Sequence, residues 1–299
     1  MSARPIIAFL FLAATLGSSP ARADEADTRY KIARSLKRDG KLDEALAELK
    51  KCVELRQSYA DCHFVMGNIL RGQGKIPEAI KAYEAASKLK PKRADFLSNL
   101  GAAYARADRV DDAIRTLEQA IGLNPKDVES YVNLAVLYRK KGLPEKAVKA
   151  AEAGVKNAPN DHVALNNYGV ALRNMKRLDD AMVQFKKAIA IAPKLAMYRF
   201  NLGVAQRAKG NIDAAIEQYL EAVKQDDRYG DAWHDLGMMW AQKREHEKAV
   251  DAFRKYLSVS GDRLRAKERK EIEDWIKQLG GAAPQPATPP PAKKKGKRQ

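Results

Sequence analysis

Apolar residues recur between positions 26 and 263 at spacings of three and four, which gathers them into one stripe along each of a series of amphipathic helices. The stripe is itself periodic. Ala45, Ala79, Ala113, Ala147, Ala181, Ala215 and Ala249 stand 34 residues apart. Upstream of each lies a large–small pair: Ile32-Ala33, Met66-Gly67, Leu100-Gly101, Leu134-Ala135, Tyr168-Gly169, Leu202-Gly203 and Leu236-Gly237. Four residues after each alanine comes Leu49, Tyr83, Leu117, Phe185, Tyr219 or Phe253, with Ala151 in the fourth copy. The small residues let two helices approach closely. Gly40-Lys41, Gly74-Lys75, Gly142-Leu143 and Gly210-Asn211 end a first helix, and Pro77 and Pro144 begin a second. Each unit is therefore a helical hairpin that buries its apolar face fully only against neighbouring copies.

This pattern resembles the tetratricopeptide repeat, in seven uninterrupted copies at 26–59, 60–93, 94–127, 128–161, 162–195, 196–229 and 230–263. Four copies close with proline, at Pro91, Pro125, Pro159 and Pro193. The resemblance implies an all-α fold: a right-handed superhelical solenoid of seven helical hairpins. Residues 264–279 add one more amphipathic helix, with Leu264, Ile272, Trp275, Ile276 and Leu279 in a stripe suited to capping the last repeat.

In such a solenoid the first helix of each hairpin lines the concave side. The resemblance thereby directs Asn99, Asn133, Asn167 and Asn201 into a groove, beside Arg71, Arg139, Arg173 and Arg207, with Arg106 one residue out of register. An asparagine amide both donates and accepts, so a row of them can clasp an extended backbone whatever its side chains. Arginine adds forked, charge-assisted donors for carboxylates or phosphates. Val132, Val136, Val170, Met197, Phe200 and Val204 lie between them as apolar contacts. The competing reading of these residues is ordinary helix surface, with asparagine bonded to a neighbouring helix. The ladder is interrupted by Lys31, Val65 and Asp235 at its ends.

Charge and the termini change the picture in two ways. Residues 1–23 read as a cleavable secretory signal: Arg4, the uncharged run Ile6 to Leu16, then Ala21-Arg22-Ala23. Eleven apolar residues fall short of a membrane span of about 20. The expected location is periplasmic or secreted. Of the net charge of +17, Arg4 and Arg22 belong to the leader and five cations to the tail, which leaves +10 for residues 24–279. That suits a partner of acidic character without implying nucleic acid. Residues 280–299 are a Pro-, Ala- and Lys-rich tail with no means of packing a core, expected to be disordered and to touch membranes only weakly through its lysines.

Cys52 and Cys62 fall at similar heights on adjacent helices. They form a disulfide in an exported chain, or else act as small hydrophobes in the packing. His63, His162, His234 and His246 have no metal-ligand spacing, and no phosphate-binding loop or nucleophile motif occurs, so neither metal, cofactor nor catalysis is expected. The expected function is a scaffold or adaptor that binds an extended peptide or an envelope-complex subunit in its groove. The alternatives are a chaperone or assembly factor, or a regulatory subunit of a separately encoded enzyme.

Overall fold

The computed structural model describes residues 20–280, which fall into two units divided after Pro125. The first unit holds three hairpins: α1 (Pro20–Arg38) with α2 (Leu42–Leu55), α3 (Ala60–Gly72) with α4 (Ile76–Leu89), and α5 (Ala94–Arg106) with α6 (Val110–Leu123). The second holds four: α7 (Val128–Lys140) with α8 (Pro144–Asn157), α9 (His162–Asn174) with α10 (Leu178–Ile191), α11 (Ala196–Ala208) with α12 (Ile212–Gln225), and α13 (Gly230–Gln242) with α14 (His246–Ser260). A 3-10 turn at Gly261–Arg263 leads into α15 (Ala266–Gln278). Residues 1–19 of the expected leader and 281–299 of the expected tail lie outside the described residues; Pro20 to Ala23 open α1. No helix of the described residues is long and apolar enough to cross a membrane.

Each hairpin reverses on one residue in the left-handed backbone region. It is glycine at Gly40, Gly74, Gly142 and Gly210, but Asp108, Lys176 and Arg244 adopt φ of 60° at the equivalent places. The following amide then reaches back five residues, as from Lys41 to the Leu36 carbonyl (2.9 Å) and from Arg177 to that of Leu172 (3.0 Å). This is the Schellman closure that satisfies the last carbonyls of a helix. Helix starts are fixed more variously. Asp127 and Asp161 cap α7 and α9 by accepting from the amides of Ser130 and Ala164, and prolines sit in the first turns of α4 and α8.

The intrahairpin contact is a matched small–large pair. Gly67, Gly101, Gly169, Gly203 and Gly237 lie against Tyr83, Leu117, Phe185, Tyr219 and Phe253, so closely that a methyl group on any of them would fall 2.5–2.6 Å from a side-chain carbon. In the fourth hairpin, where the large residue is replaced by Ala151, its partner is Ala135, and both are buried. The periodic alanines are likewise fully buried, from Ala45 to Ala249. The α15 stripe seats Ile272 and Ile276 against Val250, Phe253 and Leu257, covering apolar surface that the last hairpin would otherwise expose. Within the first unit α1 touches α3 and α3 touches α5; within the second α7 touches α9 and α9 touches α11. The second helices make no comparable contacts with one another, so in each unit the first helices form the inner side of the curve.

Candidate functional site

The inner side of the second unit carries the file α7, α9 and α11. Its asparagines and arginines sit at fixed positions in successive helices, but their surroundings differ. Asn99, on α5 of the first unit, and Asn167, on α9, each donate to the carbonyl four residues back, Asp95 at 2.8 Å and Val163 at 2.9 Å. This leaves the amide oxygens of these partly exposed residues without a partner among the described residues. Asn133 is also partly exposed. Asn201 departs from the expected ladder. It is only 8% exposed. Its amide nitrogen donates to Asn166 Oδ1 at 2.9 Å, and its oxygen accepts from Arg173 Nη1 at 3.3 Å. Both ends are thus engaged in packing α9 against α11, because a polar group withdrawn from water must find a partner.

The arginines divide similarly. Arg207 is neutralised internally, with Nη1 3.0 Å from Asp235 Oδ2 on α13, and His234 Nδ1 lies 3.3 Å from the other Asp235 oxygen. Burial alone would raise the pKa of Asp235, but the hydrogen bond from His234 and the charge of Arg207 outweigh it and hold the carboxyl below its ordinary value. Burial pushes the Tyr219 phenol beneath this cluster upward, with the Asp235 charge adding to the effect. Arg173 has no such counter-ion among the described residues. Burial lowers its pKa, and the nearby charge of Arg139 lowers it further. Arg139 is half-buried, depressed by burial alone, and pairs with no carboxylate among the described residues.

A cleft of about 340 Å³ opens beside Arg173 and Arg207, walled by Phe200, Val204, His234 and Asp235. Val136, three residues before Arg139 on α7, is 39% exposed. The second unit therefore brings together Asn133, Asn167, Arg139, Arg173 and Arg207 along one file of helices. Arg71 ends α3 and Arg106 is exposed at the end of α5, both in the first unit with Asn99. There a separate cleft of about 570 Å³ is lined by Lys31, Arg34, Lys37 and Arg38. The residue types alone do not single out the internal pairing of Arg207 with Asp235. Its signal was present in the register, since 28 residues separate both that pair and Arg173 from Asn201.

Cys52 on α2 and Cys62 on α3 are joined by a disulfide with Cα atoms 6.6 Å apart, fully buried, which ties the first hairpin to the second. Among the described residues no group of histidine, cysteine or carboxylate side chains is arranged to hold a metal.

Helical hairpins stacked, within each unit, with their first helices on the inner side define a class of binding scaffold. The chain belongs to the tetratricopeptide repeat family: the family's repeat models match residues 26–59, 67–108, 99–162, 132–196 and 200–265. No curated protein sequence matches it. Among solved structures it is similar to a tetratricopeptide repeat protein from Parabacteroides merdae (16% identity, TM-score 0.67, covering 85% of this chain and 99% of that one). It is also similar to Pseudomonas aeruginosa pilF (17%, 0.60, 69% and 94%). A third is YrrB, a tetratricopeptide protein with an unusual peptide-binding site (23%, 0.53, 65% and 97%). At these identities the likeness is one of fold.

Proposed function

We propose that this protein is a non-enzymatic adaptor, periplasmic or secreted, that holds an extended, acidic segment of a partner protein along the inner face of α7, α9 and α11. The observation that carries the reading is the pair of half-buried guanidiniums, Arg139 and Arg173, without counter-ions among the described residues. A cation withdrawn from water is costly unless something neutralises it, and a bound anionic group would do so. The unengaged Asn167 oxygen can accept from a peptide amide, while Val136, Val204 and Phe200 supply apolar contact. YrrB offers a precedent for peptide binding on this fold.

The test is capture of partners by the mature protein from its own envelope extract. Changing Asn133 and Asn167 together to alanine should reduce capture several-fold with helicity unchanged. Asn201 is kept, since its amide belongs to the packing. Capture indifferent to the double change would refute the groove.

A further inference from the structure

The arginine file contains its own control. Arg207 and Arg173 occupy equivalent places, and each reaches the residue 28 positions later: Arg207 reaches Asp235, Arg173 reaches Asn201. Arg139 stands in the same register to Asn167. The Arg207–Asp235 pair thus displays what a carboxylate does at this position. It sits 3.0 Å from the guanidinium and is almost fully withdrawn from solvent. At the two preceding places in the register the residue is an amide, Asn201 bonded to Arg173 and Asn167 bonded to the Val163 carbonyl, and the guanidinium keeps its charge. An amide oxygen accepts a hydrogen bond but cannot neutralise an arginine.

We infer that the partner supplies the two missing carboxylates, one to Arg139 and one to Arg173, from acidic residues three apart in a polyproline-II-like segment. The inference rests on the groove reading above and specifies its ligand. The spacing follows from helix geometry. Neighbouring packed helices such as α7 and α9 lie roughly 8–10 Å apart. A polyproline-II chain returns to the same face every third residue, a rise of about 9 Å. A β-strand returns every second residue, after only about 7 Å. The first spacing fits one acidic side chain per repeat. The apolar wall of Phe200 and Val204 beside Arg173 adds a preference for an apolar residue next to the second acid.

The equivalence with Asp235 also prescribes the variants. Asn201→Asp and Asn167→Asp place a carboxylate where the seventh hairpin already has one, so each should neutralise its arginine from within and close the subsite to ligand. Neither removes a side chain from the packing: the Asn166 amide can turn to donate to a carboxylate at 201, and at 167 the change gives up only the bond to the Val163 carbonyl. A displayed library of random peptides would be selected on the mature protein, and the selected sequences measured on each variant. Enrichment of Asp or Glu pairs three apart is expected, with binding weakened roughly 10- to 100-fold by N201D, by N167D and by Arg173→Gln. Affinity should also fall with added salt. Binders that lack the acidic pair and ignore N201D, yet lose affinity when Asn133 and Asn167 become alanine, would overturn this inference and leave the groove standing. A library that yields no binder, or only binders indifferent to all these changes, would overturn both.

Discussion

Replacing Gly169 by alanine should have opposite effects depending on what stands at 185. In the native hairpin the added methyl would lie 2.6 Å from Phe185 Cε1 and 2.8 Å from Cδ1, and the ring is fully buried. Overpacking of this kind costs about 1–3 kcal/mol, against which alanine gains about 1 kcal/mol over glycine inside a helix. The net is a loss of about 1 kcal/mol. Phe185→Ala alone removes a buried ring and costs about 3–5 kcal/mol. In that background the clash is gone, the propensity gain remains and part of the cavity is filled, so Gly169→Ala should now stabilise by about 1 kcal/mol. The coupling is therefore about 2 kcal/mol, well above what distant sites show. The double variant reproduces the Ala135–Ala151 pair that the fourth hairpin carries naturally. Urea unfolding followed by circular dichroism would measure the cycle, with amide exchange in α9 and α10 as the local readout. An equal effect of Gly169→Ala in both backgrounds would refute the claim that glycine is there to admit the ring.

Other consequences can be checked in the same way. Lys176 holds φ of 60° where four other hairpins use glycine. Lys176→Gly should therefore stabilise by about 1 kcal/mol, read from the urea midpoint. Asp235 has its pKa lowered on folding, so its contribution is present above the unfolded carboxyl value of about 4 and is lost as pH falls through the lower folded value. The stability gap between wild type and Asp235→Asn should accordingly close on acidification, and a gap that persists unchanged would contradict the assignment. Cutting the Cys52–Cys62 link, which spans ten residues, should cost about 2–3 kcal/mol by loop entropy. Mass analysis after alkylation would show two free thiols only after reduction.

The helical hairpins were legible because one period governs helix ends, small-residue contacts and apolar stripes together. Gly40, Gly74, Gly142 and Gly210 mark four of the turns directly, and the terminal helix expected over 264–279 runs over Ala266–Gln278. What stayed hidden was pairwise complementarity. The sequence pattern shows that position 169 is small and 185 large, but only the packed hairpin shows that one exists to admit the other. The ladder suffered from the same limit. Asn167 and Asn201 look identical along the chain, yet Asn201 lies between Asn166 and Arg173 and is consumed by them. Asp235 looked like an interruption of the ladder and proved to be the partner of Arg207. Such assignments depend on which neighbours lie across the helix interface, and a one-dimensional period carries that information only once the register is known.

In the proposed function, partners are held on the inner face of α7, α9 and α11. A photoreactive residue placed at Val136 on that face, or at Val183, 48% exposed on the second helix α10, would test it most directly. Irradiation of cells producing each variant should yield partner adducts at position 136 and none at 183. Adducts at 183 with none at 136 would contradict the account.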